Sequence, residues 1–199
     1  MSLRTFVAEA LINFPTVAAI SPSSSYLAAA MLEPLTLAET RVALELGAGT
    51  GAITRALLDQ LSPDAILLVF EINPRFSDCL RRDISDPRMI LINSSAENLD
   101  SELHRRGIQH VDAVISSLGL AFMPDRERQA LFQRLSPFLH QKSVFTQFQY
   151  IHGLQFAGGR LCRLNLRLLL NRYFGSVHSR IIWRNLPPAY VFTCRARTQ

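Results

Sequence analysis

Glu45 stands two residues ahead of the turn Gly47-Ala48-Gly49-Thr50-Gly51-Ala52, and Glu71 follows Gly51 by twenty. Glycines at alternate positions after an apolar run let the backbone approach a ligand closely, and a helix opening there points free N–H groups at it. A carboxylate some twenty residues on, ending a second apolar run, suits the two hydroxyls of a ribose. The turn and Glu71 together specify a nucleoside-containing ligand without choosing which. With Ala52 as the small third residue, the pattern G-x-G-x-x-G/A serves a dinucleotide equally well. Glu45 separates the two. At the carboxyl end of its strand it repels a pyrophosphate, whereas S-adenosylmethionine brings an ammonium, a sulfonium and no phosphate. The plainer role for Glu45 is capping the nearby helix or pairing with Arg41.

Such a turn must be carried by a strand and followed by a helix. Continuous apolar runs at 41–46, 65–71, 89–93, 111–117 and 142–150 predict strands buried on both faces, as in a parallel sheet. Helical patterns fall between them at Thr50–Leu61, Pro74–Asp83, Ala96–Arg105 and Asp125–Leu139. The alternation predicts a doubly wound α/β sheet, seven-stranded and mostly parallel, that ends in an antiparallel pair at 176–184 and 189–196. Phe156–Tyr173 is predicted as a helix, and two more, Leu3–Phe14 and Ser23–Leu35, precede the sheet. The chain is expected to be one domain, with residues 1–38 a helical cap on a core of 39–199.

Charge is unevenly placed. Before Arg128 ten arginines face all sixteen acids; from Arg128 onward there are ten arginines, one lysine and no acid. That end favours a polyanionic partner, phosphate backbone or anionic lipid headgroups. No stretch reaches the ~18 apolar residues of a membrane-spanning helix, and the first twenty residues lack the pattern of a cleaved signal peptide. Cys79, Cys162 and Cys194 are too scattered for a metal site, so no metal is expected and free thiols in a reducing cytoplasm are the default.

The segments "LELGAGTG" and "VFEINPRF" resemble class I S-adenosylmethionine-dependent methyltransferases. With "AAISPSSSYLAAAML", "QFQY" and "RNLPPAYVF", nearly the whole chain is similar to bacterial phospholipid N-methyltransferases, relatives of the rRNA adenine dimethyltransferases. The resemblance implies a Rossmann-like methyltransferase fold and S-adenosylmethionine as cofactor, with S-adenosylhomocysteine as product. It implies that Glu45, Gly47, Gly49, Thr50 and Gly51 form the cofactor turn, that Glu71 binds both ribose hydroxyls, and that Ile72 belongs with it to the cofactor site. Ser95 and Ala96 lie where the adenine is met, and Ser116 opens the active-site segment after the fourth strand. Ser21, Ser23 and Ser24 belong to a block that closes over the methionine end. Where the adenine dimethyltransferases carry Asn-Leu-Pro-aromatic, this chain has Ser117-Leu118-Gly119-Leu120, which offers neither the amide nor the stacking ring. That weighs against a nucleobase acceptor.

The expected reaction is N-methylation of phosphatidylethanolamine by a cytoplasmic protein on the inner face of a membrane. Tyr26, Tyr150 and His152 are candidates for positioning the amine or accepting its proton, with Ser116 at the active site. Arg160, Arg163 and Arg180 are candidates for the lipid phosphate. The three-and-four spacing of Arg160, Arg163 and Arg167 beside leucines predicts a basic amphipathic helix lying on an anionic phospholipid surface. Three other readings fit less well: an rRNA or tRNA adenine methyltransferase, a small-amphiphile methyltransferase, and a non-catalytic membrane-associated cofactor-binding domain.

Overall fold

The computed structural model describes residues 22–120, 123–151, 154–157, 160–163 and 165–197; for 22–24, 154–157 and 160–163 only the backbone path is described. The expected helix at Leu3–Phe14, together with Ser21 and His152, lies outside the described residues.

Seven strands form one sheet in the order β3-β2-β1-β4-β5-β9-β8. The central strands are β1 (Val42–Leu46), β2 (Ile66–Phe70), β3 (Met89–Ile92), β4 (Val111–Ser116) and β5 (Leu139–Tyr150). These five pair in parallel. β8 (Ser176–Ile182) and β9 (Ala189–Arg195) close the edge, β9 antiparallel to both β5 and β8. The order reverses between β1 and β4, so a crevice opens at their carboxyl ends, where ligands of open α/β sheets bind.

Apolar side chains of alternate parity cover the two faces. Leu44, Leu46, Leu68 and Phe70 point to a core shared with α4 (Leu99–Arg105), α5 (Asp125–Leu135) and α6 (Leu166–Leu170). Ala43, Leu67, Val69 and Ile115 point to the other, shared with α1 (Pro22–Leu32), α2 (Ala52–Leu58) and α3 (Pro74–Asp83). Pro74 opens α3 at a position that needs no amide hydrogen, and Asn73 caps it by accepting the Arg75 N–H at 2.9 Å.

One expectation is corrected. Phe156–Tyr173 is not a helix: β6 (Leu154–Ala157) and β7 (Arg160–Arg163) form a separate antiparallel hairpin, and only α6 is helical. Ala157 pairs with Arg160, and the sequence between them is Gly158-Gly159, a two-residue hairpin signal. The arginine spacing mimicked a helical period that the glycines interrupt. No basic amphipathic helix spans Arg160 to Arg167.

Candidate active site

The glycine turn is stitched to the end of β2. Gly47 N–H donates to the Phe70 carbonyl at 2.8 Å, and Gly51 N–H to that of Ala48 at 3.0 Å. Gly47, Gly49 and Gly51 all have φ between +57° and +85°. At Gly51 a Cβ would stand 2.6 Å from Leu80 Cδ2, so glycine is required both by conformation and by the packing of α2 on α3. At Gly49 nothing lies within 4 Å of that position. The backbone there faces open space, the condition for close approach by a ligand.

Both acids of the site are buried, and they differ in their partners. Each Glu71 oxygen accepts a backbone N–H at 2.7 Å, one from Gly49 and the other from Asn73. Burial raises the Glu71 pKa against these amides, which pull it down. Its own carbonyl is held by Asn93 Nδ2 at 2.8 Å and by the Ser77 hydroxyl at 3.2 Å. Glu45 is fully enclosed, and neither of its oxygens has a hydrogen-bond partner. Burial pushes its pKa to about 7; the Thr54 hydroxyl offsets part of this without closing a hydrogen bond, and the Glu71 charge adds to it. A buried carboxylate without a donor is costly unless something cationic or protic completes it.

Glu45, the glycine turn, Glu71, Ile72, Ser95, Ala96 and Ser116 all fall at the carboxyl ends of the four adjacent strands β1–β4. Ser95 Oγ caps the short turn after β3, accepting the Glu97 N–H at 3.2 Å. Ser116 is fully buried beside Leu46, and its hydroxyl lies 3.4 Å from the Leu118 N–H as acceptor. Tyr150 ends β5 next to Ala189, its phenol pKa raised by burial.

Other anticipated residues lie on other elements. Ser23 and Ser24 lie in the first turn of α1. Tyr26, half-exposed on α1, sits under the Arg184 guanidinium, 5.3 Å from its ring centroid. Arg160 and Arg163 are on the β6–β7 hairpin. Arg180 is engaged by the protein itself, donating to the Ala30 carbonyl at 2.9 Å and pairing with Glu33.

Residues not anticipated support the segment after β4. The Gln147 amide, buried on β5, donates to the Leu118 carbonyl at 3.0 Å, while its oxygen has no partner. Arg128, buried on α5, donates to the Leu120 carbonyl at 2.8 Å. Leu118 in turn leans on the glycine turn, where a Cβ at Gly47 would come within 3.2 Å of it. "QFQY" flagged Gln147 only as part of a block, and nothing in the sequence around Arg128 marked it.

The sheet order and the glycine turn that joins β1 to α2 define a Rossmann-like, S-adenosylmethionine-dependent methyltransferase. The residues fit that cofactor: an orphaned carboxylate at Glu45 for a cationic group, space over Gly49, and lone pairs left on Glu71 beyond those its amide partners use. Residues 43–142 match the family model described as a methyltransferase domain, and the chain belongs to that family. It is 30% identical over 180 residues, covering 90% of this chain and 88% of the other, to the ornithine lipid N-methyltransferase of Singulisphaera acidiphila. It is 34% identical to ribosomal RNA small subunit methyltransferase H of Aromatoleum aromaticum over only 73 residues, 37% of this chain and 23% of that one. In fold it is similar to Burkholderia thailandensis 1,6-didemethyltoxoflavin-N1-methyltransferase, solved with bound 1,6-didemethyltoxoflavin and S-adenosylhomocysteine. That match has a TM-score of 0.70 at 19% identity and covers 98% of this chain and 88% of that one.

Proposed function

We propose that this enzyme N-methylates the primary amine of an aminolipid headgroup at a membrane surface. The observation that carries the reading is the extent of similarity to a lipid N-methyltransferase. It runs over 180 residues, well beyond the cofactor-binding stretch 43–142, and so takes in most of the elements that surround the acceptor. The similarity to ribosomal RNA small subunit methyltransferase H spans 73 residues for the Aromatoleum aromaticum protein and 122 for that of a Psychrobacter species, no more than 60% of this chain and 34% of those proteins. Ser117-Leu118-Gly119-Leu120 offers no ring on which a base could stack.

Room for the acceptor exists beside the cofactor edge. A half-open cavity of about 420 Å³ lies at the carboxyl end of β5, lined by Gln149, Tyr150, Asn165, Arg167, Tyr190 and Phe192 among others. Beside Arg160, Arg163 and Arg180, Arg167 on α6 is a further candidate for the headgroup anion. Its guanidinium suits the phosphate of phosphatidylethanolamine or the carboxylate of an ornithine headgroup. S-adenosylmethionine, when bound, supplies the methyl on a sulfonium that leaves as a thioether. The protein's part is to align a neutral amine and exclude water. Tyr150, with its pKa raised, stays a neutral hydroxyl at physiological pH and orients the amine rather than taking its proton. The proton leaves to water at the open side of the cavity.

The test is label transfer from S-adenosylmethionine to liposomes carrying phosphatidylethanolamine or ornithine lipid, with RNA as the parallel acceptor. Label in the lipid organic phase is the expected result; label in RNA alone rejects the proposal.

A further inference from the structure

Trp183 and Leu186 are 72% and 84% exposed, the most exposed large apolar side chains among the described residues. Both lie in the connection between β8 and β9. Since β9 is antiparallel to both β5 and β8, β8 runs parallel to β5, and this connection emerges at the same edge of the sheet as the glycine turn. The connection is built rather than slack. Asn185 is buried and donates through Nδ2 to the Pro187 carbonyl at 2.6 Å. The Pro188 carbonyl accepts the Ile151 N–H at 3.0 Å, fastening the turn to the end of β5. Arg184 lies over the Tyr26 ring, joining the turn to α1. From Arg128 to the end of the chain there is no acidic residue, so no carboxylate of this segment opposes an anionic partner.

We infer that this turn is the membrane-docking element: Trp183 and Leu186 enter the headgroup–acyl boundary of an anionic phospholipid bilayer, Arg184 meets its phosphates, and the cofactor edge faces the lipid. A tryptophan beside an aliphatic residue and an arginine matches the chemistry of that boundary, where an amphipathic ring and a cation are both accommodated. The choice of a lipid surface as occupant rests on the aminolipid reading. The geometry places the docking element beside the acceptor cavity, which Tyr150 and Ile151 help to line.

Trp183 is the chain's one tryptophan, so emission excited selectively from tryptophan in the intact protein reports on this turn alone. Vesicles of phosphatidylcholine with about a quarter phosphatidylglycerol are expected to blue-shift that emission, and lipids brominated along their chains to quench it. Leu186→Glu is expected to lower vesicle partitioning about tenfold. It leaves unchanged the thermal melting and the methylation of a short-chain aminolipid dissolved as monomer. Arg184→Gln flattens the salt dependence of binding. Emission that stays unshifted while the protein co-sediments with vesicles overturns the inference, as does a shift produced by RNA and not by vesicles. Insertion of Trp183 without methylation of any aminolipid supports docking and rejects the acceptor reading; aminolipid methylation with Trp183 left in water does the reverse.

Discussion

The Glu71 carboxylate accepts the Gly49 amide at 2.7 Å, so the acid at the end of the second strand also closes the turn at the end of the first. With the Asn73 amide on its other oxygen, Glu71 is a fixed bracket that still has lone pairs beyond those the two amides use. Glu71→Gln sets an NH2 group against one of those two amide donors. Expected is a loss of about 1–3 kcal/mol of stability and a drop of about tenfold or more in affinity for S-adenosylhomocysteine. Urea unfolding and titration calorimetry measure the two; unchanged affinity removes Glu71 from the ribose site.

Glu45 gives a pH signature of definite sign. Its pKa of about 7 in the folded protein lies above the ordinary carboxyl value of 4.5. Between those values the folded state holds a proton that the unfolded state has released, so stability falls as pH rises. Above pH 7 the full penalty applies, about 3 kcal/mol as an order of magnitude. Glu45→Gln therefore stabilises the cofactor-free protein at about pH 8 and matches the wild type near pH 4. A cationic ligand has the opposite preference, since it favours the ionised form. Wild-type cofactor affinity rises with pH through 7, with proton uptake by buffer, and the variant loses that slope. Parallel stability profiles for the two proteins would falsify this assignment.

The sheet was legible because strands buried on both faces leave unbroken apolar runs, and the observed strands begin and end within a few residues of those runs. The glycine turn was legible for a related reason: Glu45, Gly47, Gly49 and Gly51 are contiguous with the strand that carries them. Gln147 and Arg128 act through contacts with Leu118 and Leu120, 29 and 8 residues away, which no local pattern announces. Trp183 falls inside the strand expected at 176–184; only the end of β8 at Ile182 leaves it outside. The missed hairpin shows two signals in conflict, where a dipeptide of glycines outweighed the spacing of three arginines.

Gly49 and Gly51 separate conformational cost from crowding. Gly51→Ala meets both a positive φ and Leu80 at 2.6 Å, and is expected to cost about 2–4 kcal/mol. Gly49→Ala meets only the positive φ, costing about 1 kcal/mol, yet its methyl stands in the open space where the cofactor approaches. Thermal unfolding should rank Gly51→Ala as the less stable, while calorimetry finds cofactor affinity lost in the folded Gly49→Ala protein. Full affinity in Gly49→Ala places the cofactor elsewhere.

Gln147→Leu tests whether the segment after β4 serves the acceptor. The substitution removes the donor to the Leu118 carbonyl at 3.0 Å and to the Phe148 carbonyl at 2.7 Å. It also removes a buried oxygen that has no partner, and that gain offsets much of the loss. Net stability is therefore expected to stay within about 1 kcal/mol of wild type. Leu118, freed from its anchor, no longer holds one position against Gly47, and alignment of amine and methyl suffers. The expected outcome is a kcat lowered by about tenfold at unchanged affinity for S-adenosylhomocysteine. Steady-state kinetics with the aminolipid, set beside calorimetry, decides the matter: a fall in cofactor affinity without a fall in kcat assigns Gln147 to the cofactor side of the crevice instead.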